Sequence, residues 1–209
     1  MRFSYPRFYM GKERIETLVD GIFAIVMTLL VLAIVVPQRQ VVMREIGFDE
    51  LIMSRVQDIA NYALSFVLLS IFWVQHHEQS HFIKRTDRIH LWINLLTLLF
   101  VALFPFSTSL VSQFPEKDLA EAIFGFNMFI VGILFAVNWA YATKGRHLVD
   151  GGITDEQIAI GRNICLLFLG ISGLAILLSQ SHPKISADVF WIIPAVMMAE
   201  RLFKRRQKG

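Results

Sequence analysis

The chain has 209 residues, of which 55% are hydrophobic and only 18% charged, with 18 Phe and a formal charge of +3. Few soluble domains of this length combine so little charge with so much branched aliphatic and aromatic surface. The composition therefore excludes an ordinary soluble enzyme and points to an integral membrane protein. The basic balance could suggest nucleic acid, but the charges follow membrane topology instead, and no nucleic-acid partner is implied.

Six segments are apolar and long enough to cross a bilayer core, which takes about 17–25 helical residues. In chain order they are Leu18–Val36, Ile59–Val74, Leu91–Leu110, Ala120–Tyr141, Ile164–Ser179 and Val189–Phe203. The first is too long for a signal-peptide core and no small-residue cleavage site follows it, so it is expected to be retained. Between the first two, "VVMREIGFDELIMSRV" alternates apolar and charged residues. It reads equally as an amphipathic surface helix or as a solvated loop with a short helix. The sixth is interrupted by Pro194 and ends at Glu200-Arg201. The expected fold is all-α: residues 1–209 form one six-helix transmembrane domain in a lipid bilayer.

Lysine and arginine placement sets the expected orientation. Four lie before the first span, three after the second, three after the fourth and five in the C-terminal tail, so fifteen of twenty share one side. The other five are Arg39, Arg44, Arg55, Lys117 and Lys184, and acidic residues offset them. The positive-inside rule then makes both termini cytoplasmic, in the cell membrane. The single cysteine, Cys165, sits within an apolar run and cannot form an intrachain disulfide.

At the end of the second span, "HHEQSH" contains H-E-x-x-H, the zinc signature of many metalloproteases. His77 and His81 at i and i+4 could share a helix face with Glu78 as general base. A third ligand is needed, and downstream only scattered candidates such as Asp87 and His90 occur. The motif also runs out into a basic connection, where a shaped, dry catalytic pocket is not expected. Neither a metal site nor an enzyme is therefore expected.

The most informative stretch is "RIETLVDGIFAIVMTLLVLAIVVP", residues 14–37, because polar groups within a span are costly and tend to mark function. At about 100° per residue, Ile25, Thr28, Leu29 and Leu32 share one helix face. By the same arithmetic Asp20 points roughly 145° away from that stripe, toward neighbouring helices. A stripe of Ile and Leu can equally face lipid or a partner helix, and Thr28 can simply bond to its own backbone.

This stretch resembles the first helix of the transmembrane protein 175 family of potassium channels, marked by R-x-x-x-F-S-D followed by an apolar run with a threonine. The resemblance continues through "FWVQHHEQSHFIKRTDRIHLWINLLTLLFVALFPFSTSLV", with its W-x-x-H-H and W-x-N…P-F-S-T pattern. Leu18 and Val19 replace the Phe and Ser of the motif, and Arg14 and Asp20 are retained. The resemblance implies a homotetrameric channel for potassium ions whose first helix lines a central pore. Ile25, Leu29 and Leu32 would form the constriction and Thr28 the selectivity layer. Arg14, Asp20, Trp73, His77 and Asn94 would form a polar network holding the first helix in place. No cofactor is implied beyond the permeant ion. Nothing in the sequence matches a TVGYG filter, so gating by a dewetting apolar constriction is expected. The alternative is an ion- or proton-coupled transporter that uses Asp20, His76 and His77 as titrating groups. The lack of an inverted repeat with broken mid-helix segments weighs against it.

Overall fold

The computed structural model describes residues 12–34, 49, 52–53, 55–115, 117–180 and 188–196. Helix α1 is Lys12–Leu29, continued by a 3-10 turn Leu30–Ala33. Helix α2 is Val56–Phe82, α3 Arg88–Val101, α4 Phe104–Gln113, α5 Asp118–Thr143 and α6 Asp155–Ser179. A 3-10 turn, Asp188–Trp191, leads into helical residues 192–196. Among the described residues there is no β-strand, only an isolated antiparallel bridge between Ile83 and Val149.

Among the described residues, five helical stretches are long and apolar enough to cross a membrane: Lys12–Ala33, Val56–Phe82, Arg88–Gln113, Asp118–Arg146 and Asp155–Ser179. The sixth expected span begins within residues 188–196, and its remainder lies outside the described residues, as does nearly all of the segment expected to be an amphipathic helix.

Three of the differences between the observed helices and the expected spans stand out. The third span crosses as two helices, broken at Ala102-Leu103. Pro105 has no N–H to return to the Val101 carbonyl, and its ring blocks a continuous helix. Helix α2 runs two turns past Val74, with Gln75, His76, Gln79 and Ser80 buried and His76 paired with Asn94 inside the bundle. Helix α6 starts at Asp155 rather than Ile164, fixed by a capping box. Thr154 Oγ1 accepts from the Gln157 amide at 3.2 Å, and the Thr154 amide donates to Gln157 Oε1 at 2.9 Å.

Phe72 of α2 is the centre of the core. Its ring stacks on Phe168 of α6 at 4.5 Å, tilts against Phe135 of α5 at 5.2 Å and meets Phe104 of α4 edge-on at 6.2 Å. Helix α1 buries Ile15, Val19, Phe23, Val26 and Leu30, one stripe at helical spacing, in this same cluster. Helices α5 and α6 form the most extensive pair, and glycines let their backbones approach. A Cβ on Gly125 would lie 3.0 Å from Ile176 Cγ1, and one on Gly161 only 2.7 Å from the Trp139 indole. Helix α1 packs on α2, α3 and α4 and leaves the α5–α6 pair on the far side of the protomer.

At one end, the α2–α3 and α5–α6 connections are joined. Lys84 N donates to Leu148 O at 2.8 Å, and Asp150 N donates to Phe82 O at 2.8 Å. Asp87 caps α3 by accepting from the His90 amide at 2.9 Å, and it accepts the Tyr141 hydroxyl at 2.7 Å. Burial alone would raise the Asp87 pKa, but these two donors, helped by the nearby His147, hold the carboxyl below its ordinary value.

Candidate functional site

Among the described residues, the face of α1 opposite its buried stripe is left largely uncovered. Ile25 is 56% exposed, Leu29 42% and Leu32 70%, and Thr28 is exposed between them. The stripe derived from helical arithmetic is thus a continuous open edge. It also extends farther toward the N-terminus than the sequence reading placed it. Leu18 is exposed one heptad before Ile25, and Gly21 lies beside it with open space where a Cβ would stand. The i, i+7 spacing of Leu18 and Ile25 was the signal for that extension. The Thr28 hydroxyl donates to the Ile25 carbonyl at 2.7 Å. Its only proton is turned back along the helix, which leaves the oxygen lone pairs on the open side.

The five residues expected to form one polar network fall into separate groups. On the flank of α1, the Trp73 indole N–H donates to Asp20 Oδ1 at 2.8 Å, and the His77 ring lies against Trp73 with centroids 6.0 Å apart. This joins α1 to α2 through an exposed carboxylate. Asn94 is not part of it. Asn94 Oδ1 faces His76 Nε2 at 3.1 Å, its Nδ2 donates to the His90 carbonyl at 2.8 Å, and Asn138 Oδ1 is 3.4 Å away. These four residues are buried and link α2, α3 and α5. Arg14 joins neither group. It is exposed, and by helical arithmetic falls on the open edge beyond Leu18.

Adjacent histidines point about 100° apart on a helix, so one of the pair at the end of α2 faces inward and the other outward. His76 is the inward one, and Asn138, which the sequence reading did not single out, completes its surroundings. His77, Glu78 and His81 of the H-E-x-x-H motif are exposed, whereas His90 is buried on the other side. No group of three His, Cys, Asp or Glu side chains suited to a metal ion occurs among the described residues.

Helix length and apolar surface define an all-α, polytopic integral membrane protein. The profile of the family described as endosomal/lysosomal potassium channel TMEM175 matches residues 14–105. A potassium channel of Streptomyces collinus is 32% identical over 141 residues, covering 66% of this chain and 67% of that protein. A potassium channel of Chamaesiphon minutus is 31% identical over 178 residues, covering 79% of this chain and 86% of that one. Among solved structures, the crystal structure of a lysosomal potassium-selective channel TMEM175 homolog from Chamaesiphon minutus superposes with a TM-score of 0.75 at 29% identity. That match covers 91% of this chain and 97% of the other. The chain belongs to the TMEM175 family.

Proposed function

We propose that this chain is a potassium-selective cation channel of the cell membrane. Copies of residues 1–209 assemble as a homotetramer with both termini cytoplasmic, and α1 of each copy lines a central pore. The observation that carries this reading is the open edge of α1. One face of the helix is buried, while Ile25, Thr28, Leu29 and Leu32 on the other stay exposed. One edge cannot enclose a water path, whereas a closed ring of identical edges can. The names carried by the bacterial relatives supply the ion.

In such a ring, the branched side chains of Ile25, Leu29 and Leu32 form a dewetting constriction that excludes water and ions until the helices splay or rotate. The Thr28 oxygens sit within this apolar stretch, and with their protons engaged by Ile25 they present lone pairs to a partly dehydrated cation. Selectivity rests on that threonine ring and takes no part of a carbonyl filter. Asp20, tied to Trp73 on the flank, holds α1 in register rather than facing the ion.

The test is a planar-bilayer recording under K⁺/Na⁺ bi-ionic conditions. Unitary currents with a reversal potential favouring K⁺ are expected, and Thr28→Ala is expected to shift that potential toward zero. Flux too slow to resolve as unitary events would indicate a transporter. An unchanged reversal potential in the variant would remove Thr28 from the filter.

A further inference from the structure

A cavity of about 390 Å³ opens between α2, α5 and α6. Its walls are apolar: Phe82, Trp139, Ile160 and Ile164. Its polar lining comes from Gln75, Gln79 and Gln157 together with His77, Glu78 and His81 of the H-E-x-x-H motif. The volume falls in the range of small-molecule sites. The depth is set by the helices that build it. Phe82 ends α2, Trp139 lies one turn from the end of α5, and Gln157 to Gly161 are in the first two turns of α6. The cavity is therefore where apolar spans meet a polar connection, at the level of phospholipid heads.

We infer that this cavity holds one phospholipid of the adjoining leaflet, a species with a primary-ammonium (ethanolamine) head, and that it sets the position of α1 through His77, Trp73 and Asp20. The assignment rests on charge and shape. The slot between Phe82, Trp139, Ile160 and Ile164 accepts an acyl chain and offers it no polar partner. At the mouth, the imidazoles of His77 and His81 and the amide of Gln157 supply N–H donors for phosphate oxygens. Glu78 supplies an acceptor for an ammonium that has protons to give. A choline head carries positive charge without N–H groups, and a glycerol head leaves Glu78 facing the phosphate with no cation between them. Gly161 shapes the slot, because a Cβ there would stand 2.7 Å from the Trp139 indole that lines it.

The coupling to α1 is short. The His77 ring stacks on Trp73, and Trp73 donates to Asp20 of α1 at 2.8 Å. A head bound against His77 thus bears on the flank contact between α2 and the proposed pore helix. This part rests on the channel reading, whereas occupancy of the cavity does not.

The full-length protein, in liposomes doped with phosphatidylethanolamine carrying a diazirine in one acyl chain, is irradiated and its labelled peptides are mapped by mass spectrometry. Label is expected on Phe82, Trp139 and Ile164, and is expected to fall about tenfold in Ile164→Phe, corresponding to a decade of occupancy. Label at Leu177, exposed elsewhere on α6, should persist. Ile160→Phe provides a second filled cavity should the first variant fold poorly. Glu78→Gln is expected to remove the preference over a choline-headed probe. Cavity label absent in wild type, or unaltered by both filling variants, would overturn the site; an undiminished preference in Glu78→Gln would overturn the head-group assignment. K⁺ flux is then compared in liposomes with and without the ethanolamine lipid, and its lipid dependence should vanish in Ile164→Phe. Flux indifferent to the lipid, with the cavity still labelled, would overturn the coupling alone. No flux under any condition, with the label intact, would overturn the channel reading and leave the site standing.

Discussion

Thr28 has a single hydroxyl proton, and the carbonyl of Ile25 takes it. Thr28→Ser retains both the donor and the lone pairs, so K⁺ preference is expected to survive in it. Thr28→Val keeps the shape and loses the oxygen, and is expected to abolish the preference while leaving folding unaltered. Reversal potentials of the pair check this directly. Seven residues before Thr28 on the open edge, Gly21 has open space where a Cβ would go. In the isolated protomer Gly21→Ala should therefore stabilise α1 by about 0.5–1 kcal/mol through the lower backbone entropy of alanine. Thermal unfolding in detergent measures that gain. A weaker tetramer alongside a more stable chain would show that a neighbouring copy occupies the gap. Asp20 differs because it has a partner. Asp20→Ala removes the acceptor of the Trp73 indole and should cost about 1–3 kcal/mol, the scale of a hydrogen bond to a charged group. Asp20→Asn keeps an acceptor and should cost less. Unfolding midpoints that rank the two variants in the opposite order would contradict the contact.

At the scale of helices, Gly161 and Asp87 give opposite kinds of constraint. A Cβ at Gly161 would sit 2.7 Å from Trp139 Cε2 and Nε1, and Nε1 already donates to the Ile158 carbonyl at 3.0 Å. Gly161→Ala must displace the indole, break that bond and part α5 from α6, at about 1–3 kcal/mol. Gly170→Ala, on the same helix with nothing within 4 Å, is the control and should be neutral or mildly stabilising. Asp87 holds the α2–α3 connection to α5 through Tyr141 and caps α3 through His90. Its carboxyl is held below the ordinary value of 3.8, so the stability it contributes is fully present above that pH and is lost as pH falls through the lowered folded-state value. The stability difference between wild type and Asp87→Ala, about 1 kcal/mol at neutral pH from the cap, should close below about pH 3.8, followed by unfolding midpoints across an acid series. Much of this architecture was legible in the sequence. The five described spans and the two-sided α1 follow from hydropathy and a 3.6-residue period, whereas the pairing of Trp73 with Asp20 was implied by the family resemblance. The helix break was announced by Pro105 and the start of α6 by Thr154 and Gln157, local signals that a hydropathy window averages away. The inward choice of His76 over His77 had no local signal. It depends on where α3 and α5 bring Asn94 and Asn138, which is a property of the packed bundle.

For the whole molecule, the question is what lies against the open edge of α1, since lipid and a water path both suit the side chains of Leu18, Ile25, Leu29 and Leu32. Bilayer energetics offer no discrimination, because lipid tails are as apolar as leucine. Water access does discriminate. Cys165 is 2% exposed within the core, so a single introduced thiol can be read against a quiet background. Leu32 is 70% exposed and lies at the outer end of the edge; Leu177, at 68%, is equally bare on α6, away from α1. A charged methanethiosulfonate reagent partitions into water and reacts with thiolate, which does not form in hydrocarbon. If four edges enclose a path, Leu32→Cys should react from the aqueous side and the added charge should block current, while Leu177→Cys in lipid stays unmodified. Oxidation of the same thiol should also join neighbouring subunits, because side chains around a narrow axis come within disulfide reach and those on an outer surface do not. Equal resistance of both cysteines, with no cross-linked dimer, would place the edge against lipid and dismantle the pore. Reaction at Leu32→Cys alone would fix the axis of the assembly at α1 and leave α5 and α6, with the cavity beside them, facing the bilayer.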